Sequence, residues 1–383
     1  MSEWKKVRLG EIANYVNEKI DIKAFDTSLY ISTDSMLKDK GGIGTPESIP
    51  ESGKVTKYQH NDILVSNIRP YFKKIWFSNR EGGCSNDVLV FRANDNIDST
   101  FLYYVLSDDS FFDHIMSSAN GTKMPRGNRK LIPSFEIPLP PLSTQHRIAR
   151  ILSRYDSLIE NYQKQIKLLE EAAQRLYKEW FVDLRFPGHE NTKIIDGVPE
   201  GWEKKKLHEI AEVVMGSSPK SEFYNNDKQG LPFHQGVGSY GTRFVDDNVY
   251  STSITRLAEP NSILFSVRAP VGRLNITKNK IIIGRGLAAM NHKDGFQSFL
   301  FYMLKERFFM DNIIGNGSIF ASISKVELLD QEFIVPPMKT IKAFESLASK
   351  LDKKIQGVDT QLRLLTEARD RLLPKLMSGE IEI

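Results

Sequence analysis

One long internal repeat dominates this sequence. Residues 4–13 reappear as 202–211, and both segments have Trp first, Leu sixth and Glu-Ile-Ala last. Residues 61–70 reappear as 261–270, where both segments read Asn-x-Ile-Leu-x-Ser-x-x-x-Pro. A repeat of nearly 200 residues is much longer than the unit of a solenoid protein. It therefore predicts a duplicated domain, with a connector after each copy.

The composition is typical of a soluble globular protein. The chain has 383 residues, of which 40% are hydrophobic and 26% are charged, so it is long enough for two domains with separate cores. No apolar run is long enough to span a bilayer, and Cys84 is the single cysteine, which excludes an intrachain disulfide. We therefore expect a cytoplasmic protein with no membrane partner. The net charge of +4 slightly favours anionic partners.

A heptad pattern follows each copy of the repeat. From Ile148 onward, ten apolar residues are spaced alternately by four and three positions, and the same spacing recurs from Phe344 onward, where only Arg369 is not apolar. This pattern is the a/d seam of a coiled coil. Pro374 predicts that the second helix kinks or ends before its last seam residue. The residues that we assign to the helix–helix interface are Ile148, Leu152, Tyr155, Ile159, Tyr162, Ile166, Leu169, Leu351, Ile355, Val358, Leu362, Leu365 and Leu372.

The connectivity sets the direction of the two helices. The first helix leads into the second domain and the second helix leaves that domain, so the helices must run antiparallel in order to pair. About 35 residues at ~1.5 Å each give a rod of roughly 50 Å, with one domain at each end and a pseudo-twofold axis. The alternative is that each amphipathic helix packs on its own domain. The domain boundaries that we predict are 1–142 and 187–338 for the globular domains, and 143–186 and 339–383 for the helical spacers.

Each globular half is predicted to have an α/β (α+β) fold. Short β-branched and aromatic runs alternate with Gly- and Ser-rich loops, and each half contains one amphipathic stretch of helical period. The predicted strands are 63–65, 74–77, 88–91, 135–139, 263–265, 281–283 and 332–335, and the predicted helices are 101–116 and 299–314.

Motifs that would indicate catalysis are missing from the sequence. There is no Gly-x-x-x-x-Gly-Lys-Ser/Thr loop for a nucleotide and no Gly-rich strand–helix turn for a methyl-donor cofactor. The seven histidines are scattered without metal-ligand spacing, so we predict no metal site. Residues 216–219 do not form a nucleophile elbow, because no Gly follows at the required place. We therefore predict no catalytic residues.

Basic and amide side chains are concentrated in a few Gly- and Pro-containing loops. Lys and Arg neutralise DNA phosphates, and Arg, Asn and Gln form hydrogen bonds with base edges. In the first copy the candidates for DNA contact are Asn67, Arg69, Tyr71, Lys73, Lys74, Lys123, Arg126, Asn128, Arg129 and Lys130. In the second copy they are Ser217, Ser218, Lys220, Gln235, Tyr240, Arg243, Arg268, Arg273, Arg285, Ser318, Ser322 and Lys325.

The two sets of loops agree in frame but differ in chemistry. With an offset of 196 residues, Arg129 aligns with Lys325, whereas Arg126 aligns with Ser322. Two domains that read different DNA sequences would have this relationship. The alternative is a protein–protein adaptor in which the domains bind proteins and the basic loops are incidental. Such an adaptor would show no steep loss of DNA affinity with rising salt and no sequence preference.

The order of these features resembles the DNA-specificity subunits of type I restriction–modification systems over nearly the whole chain. The resemblance lies in residues 201–211, 261–268 and 299–304, in Pro-Pro followed by a heptad helix in each copy, and in the ending 371–381. It implies a non-catalytic subunit with two target-recognition domains, each reading one half of a bipartite asymmetric target, while the helices set the unread gap.

The resemblance also implies the partners of such a subunit. They are double-stranded DNA, two modification (methyltransferase) subunits and, in the nuclease form, restriction (motor) subunits. No cofactor is expected on this chain itself. The methyltransferase subunits are expected to use S-adenosylmethionine, and a restriction subunit to use ATP with Mg²⁺.

Overall fold

The chain divides into two compact units in a computed structural model that describes residues 4–119, 121, 123–308, 322–381 and 383. The first unit contains Met1–Gln163 and Thr360–Ile383, and the second contains Lys164–Asp359. Both divisions fall inside a long helix, so each unit combines one globular domain with a part of each long helix. No helix among the described residues has the length and hydropathy needed to cross a bilayer.

The first unit is built around a four-stranded antiparallel sheet. Its central strand, Ile63–Ser66, is buried along its whole length because Ile, Leu and Val are apolar on both faces of the strand. The strands of the first unit are β1 Lys5–Arg8, β2 Ala13–Tyr15, β3 Lys19–Asp21, β4 Lys54–Tyr58, β5 Ile63–Ser66, β6 Ile75–Phe77, β7 Gly82–Cys84, β8 Val88–Ala93 and β9 Glu136–Leu139. The main sheet has the order β2-β8-β5-β6, beside a β3-β4-β7 sheet and the pair β1-β9.

Helices cover this sheet and bury three phenylalanines in its core. Phe101, Phe111 and Phe112 are fully buried in one apolar cluster with the strands. The single helix predicted over 101–116 is wrong in one respect, because two helices meet at Asp108. The Asp108 carboxylate accepts a hydrogen bond from the Ser110 amide at 2.9 Å and so caps the second helix. The helices of this domain are Leu9–Ile12, Ser99–Ser107 and Asp109–Ser117.

The second unit repeats this sheet and adds a larger one. Its strands are β10 Ile194–Ile195, β11 Val198–Pro199, β12 Glu203–Lys206, β13 Ala211–Met215, β14 Tyr224–Asn225, β15 Leu231–His234, β16 Tyr250–Ser251, β17 Leu257–Ala258, β18 Ile263–Ser266, β19 Leu274–Ile276, β20 Ile281–Ile283, β21 Leu287–His292 and β22 Glu332–Val335. The sheet β13-β21-β18-β19 and the pair β12-β22 match those of the first unit, whereas β14-β16-β15-β20-β17 is a five-stranded sheet. The helices of this domain are Leu207–Ile210, Gln297–Phe308 and Lys325–Leu329. Residues 309–314 of the predicted helix 299–314 lie outside the described residues.

The two long helices are Leu142–Phe181 and Met338–Met377, each 40 residues long. In the first unit, Ile148 and Leu152 near the start of the first long helix share a cluster with Leu373 and Leu376 near the end of the second. The second unit has the reverse arrangement, in which Trp180 lies 6.0 Å from Phe344 between ring centroids. Both contacts require an antiparallel pair, as predicted. The predicted fold class, a duplicated mixed α and β domain with long paired helices, is confirmed.

The second long helix does not end at Pro374. It continues to Met377, and both Leu376 and Met377 are buried in the core of the first unit. The carbonyl that a proline leaves without a donor is four residues earlier, on Asp370, which is exposed to water. Burial of the two following apolar side chains therefore offsets the loss of one helical hydrogen bond. The prediction of an end at this proline is wrong for that reason.

Candidate nucleic-acid interface

The two basic loops of the first domain meet at one junction. Ile68 and Arg126 form an isolated antiparallel bridge between the two loops. The Arg69 amide donates to the Pro125 carbonyl at 2.8 Å, and the Gly127 amide donates to the Asn67 carbonyl at 3.3 Å. Segments about 60 residues apart in sequence are therefore joined, and we call the place where they meet the first junction (residues 67–69 and 125–127).

Close packing inside the first junction requires glycine at position 127. A Cβ atom on Gly127 would lie 2.4 Å from Ile115 Cγ2 and 2.8 Å from Asn67 Oδ1, which is closer than van der Waals contact allows. Asn67 is itself only 7% exposed, and its Oδ1 accepts no hydrogen bond from the described residues. Asn67, which we predicted to contact DNA, therefore lies beneath the surface and shapes the loop.

Several of the predicted cations of the first domain do face solvent. Arg126 has 54% of its side chain exposed, and its Nη2 lies 3.2 Å from Asp87 Oδ2, so it can exchange this surface pair for a phosphate or base. The Arg129 guanidinium lies 5.6 Å from the Tyr15 ring centroid, and burial raises the pKa of the Tyr15 hydroxyl to about 12. Exposed Lys123, Lys130 and Tyr71 complete the set of accessible candidates.

Other candidates of the first domain are bound within the protein. Lys73 Nζ lies 2.7 Å from Asp109 Oδ2, and this hydrogen bond raises the pKa of Lys73. Lys74 donates to the Thr33 carbonyl at 2.6 Å, and burial lowers the pKa of Lys74. Asn128 Oδ1 accepts from the Lys130 amide at 3.0 Å and shapes a turn. Arg69 is half-buried, with no hydrogen-bond partner for its Nε among the described residues. Lys73, Lys74 and Asn128 therefore hold the loops in place, whereas Arg69 is only partly covered by the protein.

The second domain has the same junction with different side chains. Arg268 and Ser322 form an isolated antiparallel bridge, and the Ile323 amide donates to the Val267 carbonyl at 2.9 Å. These positions are the repeat equivalents of Asn67, Ile68, Arg126 and Gly127, and we call the place where they meet (267–268 and 322–323) the second junction. Arg268 and Ser322 are exposed, as is Lys325 at the start of the helix Lys325–Leu329. Ser318 lies outside the described residues.

One concave surface of the second domain, of about 540 Å³, is lined by four further candidates, Ser218, Lys220, Gln235 and Arg285. It also contains Pro219, Ser221, Glu222 and Tyr224. The Ser218 hydroxyl donates to Gln235 Oε1 at 2.7 Å and accepts from the Arg285 amide at 3.2 Å. Gln235 can lie this close to the backbone at position 284 because the residue there is glycine. A Cβ on Gly284 would lie 2.7 Å from Gln235 Oε1. Gln235 is thereby held by its Oε1, and its amide NH₂ has no hydrogen-bond acceptor among the described residues, so it can donate to a base edge beside exposed Arg285 and Lys220.

The remaining candidates of the second domain are less accessible or different in role. Ser217 is exposed, whereas Arg273 is half-buried and its backbone pairs with Ser266. The Tyr240 hydroxyl is buried without a hydrogen-bond partner among the described residues, and burial raises its pKa. Arg243 is only 2% exposed and pairs with Asp352 at 2.7 Å, so the structure gives it an internal role and not the predicted contact with DNA.

A buried Ser-His-Asp set in the second domain is a structural network. His234 is fully buried, with Nδ1 2.7 Å from Ser239 Oγ and Nε2 3.0 Å from Asp247 Oδ1. Asn279 donates to the other oxygen of Asp247 at 2.8 Å. The network ties the end of β15 to the loop between β15 and β16, which contains Ser239 and Asp247, and to the turn between β19 and β20, which contains Asn279. Sequence reasoning missed these residues, because nothing in their spacing indicates that they meet.

The predicted residues of the helical seam lie on the inner faces of the long helices. Ile148, Leu152, Ile159, Ile166, Ile355 and Val358 are buried, and Tyr155, Tyr162, Leu169, Leu351, Leu362, Leu365 and Leu372 are half-buried. Arg369, the non-apolar seam position, lies with its Nη1 2.8 Å from Asp156 Oδ1. Asp156 also accepts from the Tyr104 hydroxyl at 2.6 Å. Burial and the neighbouring Asp156 charge raise the pKa of Tyr104, so its hydroxyl stays a donor.

Comparison with known proteins identifies the family. The family model of the type I restriction modification DNA specificity domain matches residues 1–171 and 199–362. A putative specificity subunit of the type I restriction enzyme MjaX from Methanocaldococcus jannaschii is 32% identical over 308 residues, which are 78% of this chain and 72% of that protein. The specificity subunit of type I restriction enzyme HindI from Haemophilus influenzae is 23% identical, and the match covers 100% of both chains.

A solved structure shows the same fold. The crystal structure of the type I restriction–modification S subunit from M. genitalium aligns with a TM-score of 0.62 at 19% identity, over 97% of this chain and 96% of that chain. The two copies of the family domain and the two long helices agree with this match. The chain therefore belongs to the type I restriction–modification DNA specificity family.

Proposed function

We propose that the two junctions read the two halves of one split, asymmetric DNA target. Each half would be read by the globular domain that carries the junction, and the target-recognition domains would be residues 1–142 and 187–338. The long helices, in the spacers 143–186 and 339–383, would set the length of the unread gap.

The observation that carries this proposal is the repeat-equivalent bridge of two loops. In each domain the same backbone positions bring a basic loop against a second loop, although the arginine is Arg126 in one and Arg268 in the other. A duplicated frame with different exposed donors is what two readers of different sequences require, because hydrogen bonds to base edges carry specificity. A surface for a single protein partner would not need that divergence in both domains.

The partners and cofactors of the complex follow from this assignment. We propose that the chain is a non-catalytic, cytoplasmic subunit that joins two methyltransferase subunits and, in the nuclease form, restriction subunits. Polar residues on the outer faces of the long helices, such as Arg154, Lys164 and Lys167, would contact these partners. The methyltransferase subunits would bring S-adenosylmethionine, and the restriction subunits would bring ATP and Mg²⁺.

The test is a selection of DNA targets by the assembled complex. The chain is co-produced with its methyltransferase subunits and used to select duplexes from a random pool, and the affinity for the selected target is then measured across a range of salt concentrations. We expect two short unlike motifs with a fixed gap. We also expect the affinity to fall by about 0.9 logarithmic units per contacted phosphate for each tenfold rise in salt concentration. A duplex of scrambled sequence serves as the control.

The alternative, a protein–protein adaptor, predicts a different outcome. Such a complex would select no motif, and any binding of duplex DNA would show neither a sequence preference nor a steep dependence on salt. That result would reject DNA reading by both junctions.

A further inference from the structure

Arg243 is surrounded by two carboxylates and two aromatic rings of the second unit. Its Nη2 is 2.7 Å from Asp352 Oδ1, and its Nη1 is 3.6 Å from Glu170 Oε1. Its guanidinium carbon is 3.6 Å from the centroid of the Phe301 ring. Glu170 belongs to the first long helix and Asp352 to the second. One side chain of the globular domain therefore contacts both long helices.

The segment that carries Arg243 is hydrogen-bonded to the sheet β13-β21-β18-β19. The Ile276 amide donates to the Arg243 carbonyl at 3.0 Å, and the Val245 amide donates to the Ile276 carbonyl at 3.1 Å. Asn275 Nδ2 donates to the Gly241 carbonyl at 2.9 Å. These acceptors and donors lie on β19, which pairs with β18, and β18 leads directly into the second junction. Arg243 thus connects the helices with the strands that hold the reading loops.

The chemistry of this contact is specific to arginine. A planar guanidinium can pair with two carboxylates and stack on an aromatic ring at the same time, whereas the point charge of lysine cannot. Tyr302 adds a hydroxyl that donates to Asp352 Oδ1 at 2.7 Å, and burial raises the pKa of this hydroxyl. The orientation of the guanidinium is therefore fixed from several sides.

We propose that Arg243 is a positioning residue that sets the angle of the second target-recognition domain on the helix pair, and thereby the gap length that the subunit accepts. This inference rests on the function proposed above. Arg243 would not contact DNA, and the base preference of the second domain would come from the second junction and the surface around Gln235.

The first unit provides a matched control. There the residues equivalent to Tyr302 and Asp352 are Tyr104 and Asp156, but the arginine beside them is Arg369, which belongs to the second long helix. Replacement of Arg369 therefore disturbs a similar charge cluster without removing an arginine contact between a globular domain and the helices.

The experiment compares R243K and R369K in the complex with methyltransferase subunits. Both variants select targets from a pool in which the two half-targets and the gap length are all varied. For R243K we expect unchanged half-target motifs, but a preference for the wild-type gap over gaps one base pair longer or shorter that falls about tenfold, which corresponds to 1.4 kcal/mol. For R369K we expect both the motifs and the gap preference of the wild type.

Each other outcome overturns the inference. An altered motif in the second half-target with an unchanged gap would make Arg243 a base contact, and no change in either would make it a packing residue only. If R243K does not fold, the double variant R243M with D352N removes both charges of the closest pair together and is measured in the same way. A wild-type complex without any motif would instead reject the proposed function itself.

Discussion

The two junctions have the same backbone arrangement but differ in which of the two loops provides the arginine. In the first domain Arg126, on the second loop, lies opposite Ile68, whereas in the second domain Arg268, on the first loop, lies opposite Ser322. The hydrogen bond between the loops is kept, from Gly127 to Asn67 and from Ile323 to Val267. Duplication has therefore preserved the frame that presents the loops, and divergence has changed the donors that the frame presents.

Each unit has a cluster of a tyrosine, an aspartate and an arginine that anchors its globular domain to the long helices. These anchors, Tyr104–Asp156–Arg369 and Tyr302–Asp352–Arg243, show a similar relation. Both units contain a buried tyrosine hydroxyl that donates to an aspartate of a long helix, at 2.6 Å for Tyr104 and 2.7 Å for Tyr302. The arginine that completes the cluster belongs to a helix in the first unit and to the globular domain in the second. The tyrosine–aspartate contact is therefore the same in both units, while the arginine that pairs with the aspartate comes from a different part of the chain.

The largest expected effect comes from shortening the long helices. Deletion of residues 157–163 and 361–367 removes one heptad from each helix and retains Asp156, Asp359 and Arg369. Because seven residues span about 10 Å of helix, the accepted gap should shorten by ~3 base pairs at ~3.4 Å per base pair. Target selection with a variable gap measures the change. The control removes the heptad from one helix only, which breaks the register of the seam. An unchanged gap in the variant with both deletions would contradict the proposed role of the helices.

The anchor comparison predicts unequal losses of stability. Asp352→Ala leaves the guanidinium of Arg243, which is only 2% exposed, without its closest partner, and should lower the free energy of unfolding by about 3–5 kcal/mol. Asp156→Ala should cost less, because the Arg369 side chain is 24% exposed and also contacts Asp370 at 2.8 Å. Denaturant unfolding, with hydrogen exchange to assign each loss to its unit, measures both. Equal losses would show that the two anchors are energetically alike.

Gly127 distinguishes the two junctions sterically. Gly127→Ala places a Cβ within 2.4 Å of Ile115 Cγ2, so we expect the first domain to lose about 1–3 kcal/mol of stability. The two loops should separate and binding of DNA should weaken. The equivalent residue of the second domain is Ile323, which already has a Cβ, and Ile323→Ala is the matched control. Affinities for targets with one half-target scrambled assign the loss. If Gly127→Ala bound as tightly as the wild type, the close packing of the first junction would be irrelevant to reading.

The sequence predicts the frame of this protein better than the roles of single side chains. The repeat and the heptads predict the duplicated fold and the antiparallel helices, because both patterns extend over many residues. Arg243 was misjudged because a cation in a Gly-rich loop resembles a reader of DNA, while its partner Asp352 lies 109 residues further along the chain. Asn67 was misjudged because its side chain packs against Gly127, which is distant in sequence and which only the fold brings near it.

The most direct test of divided reading compares Arg126→Ala and Arg268→Ala in the same complex. Each variant is titrated with duplexes in which single base pairs of either half-target are replaced. We predict that Arg126→Ala reduces discrimination in one half-target only, by about 1–3 kcal/mol if a base contact is lost, and that Arg268→Ala does so only in the other half-target. If both variants altered the same half-target, or both halves equally, the division of reading between the two junctions would be contradicted.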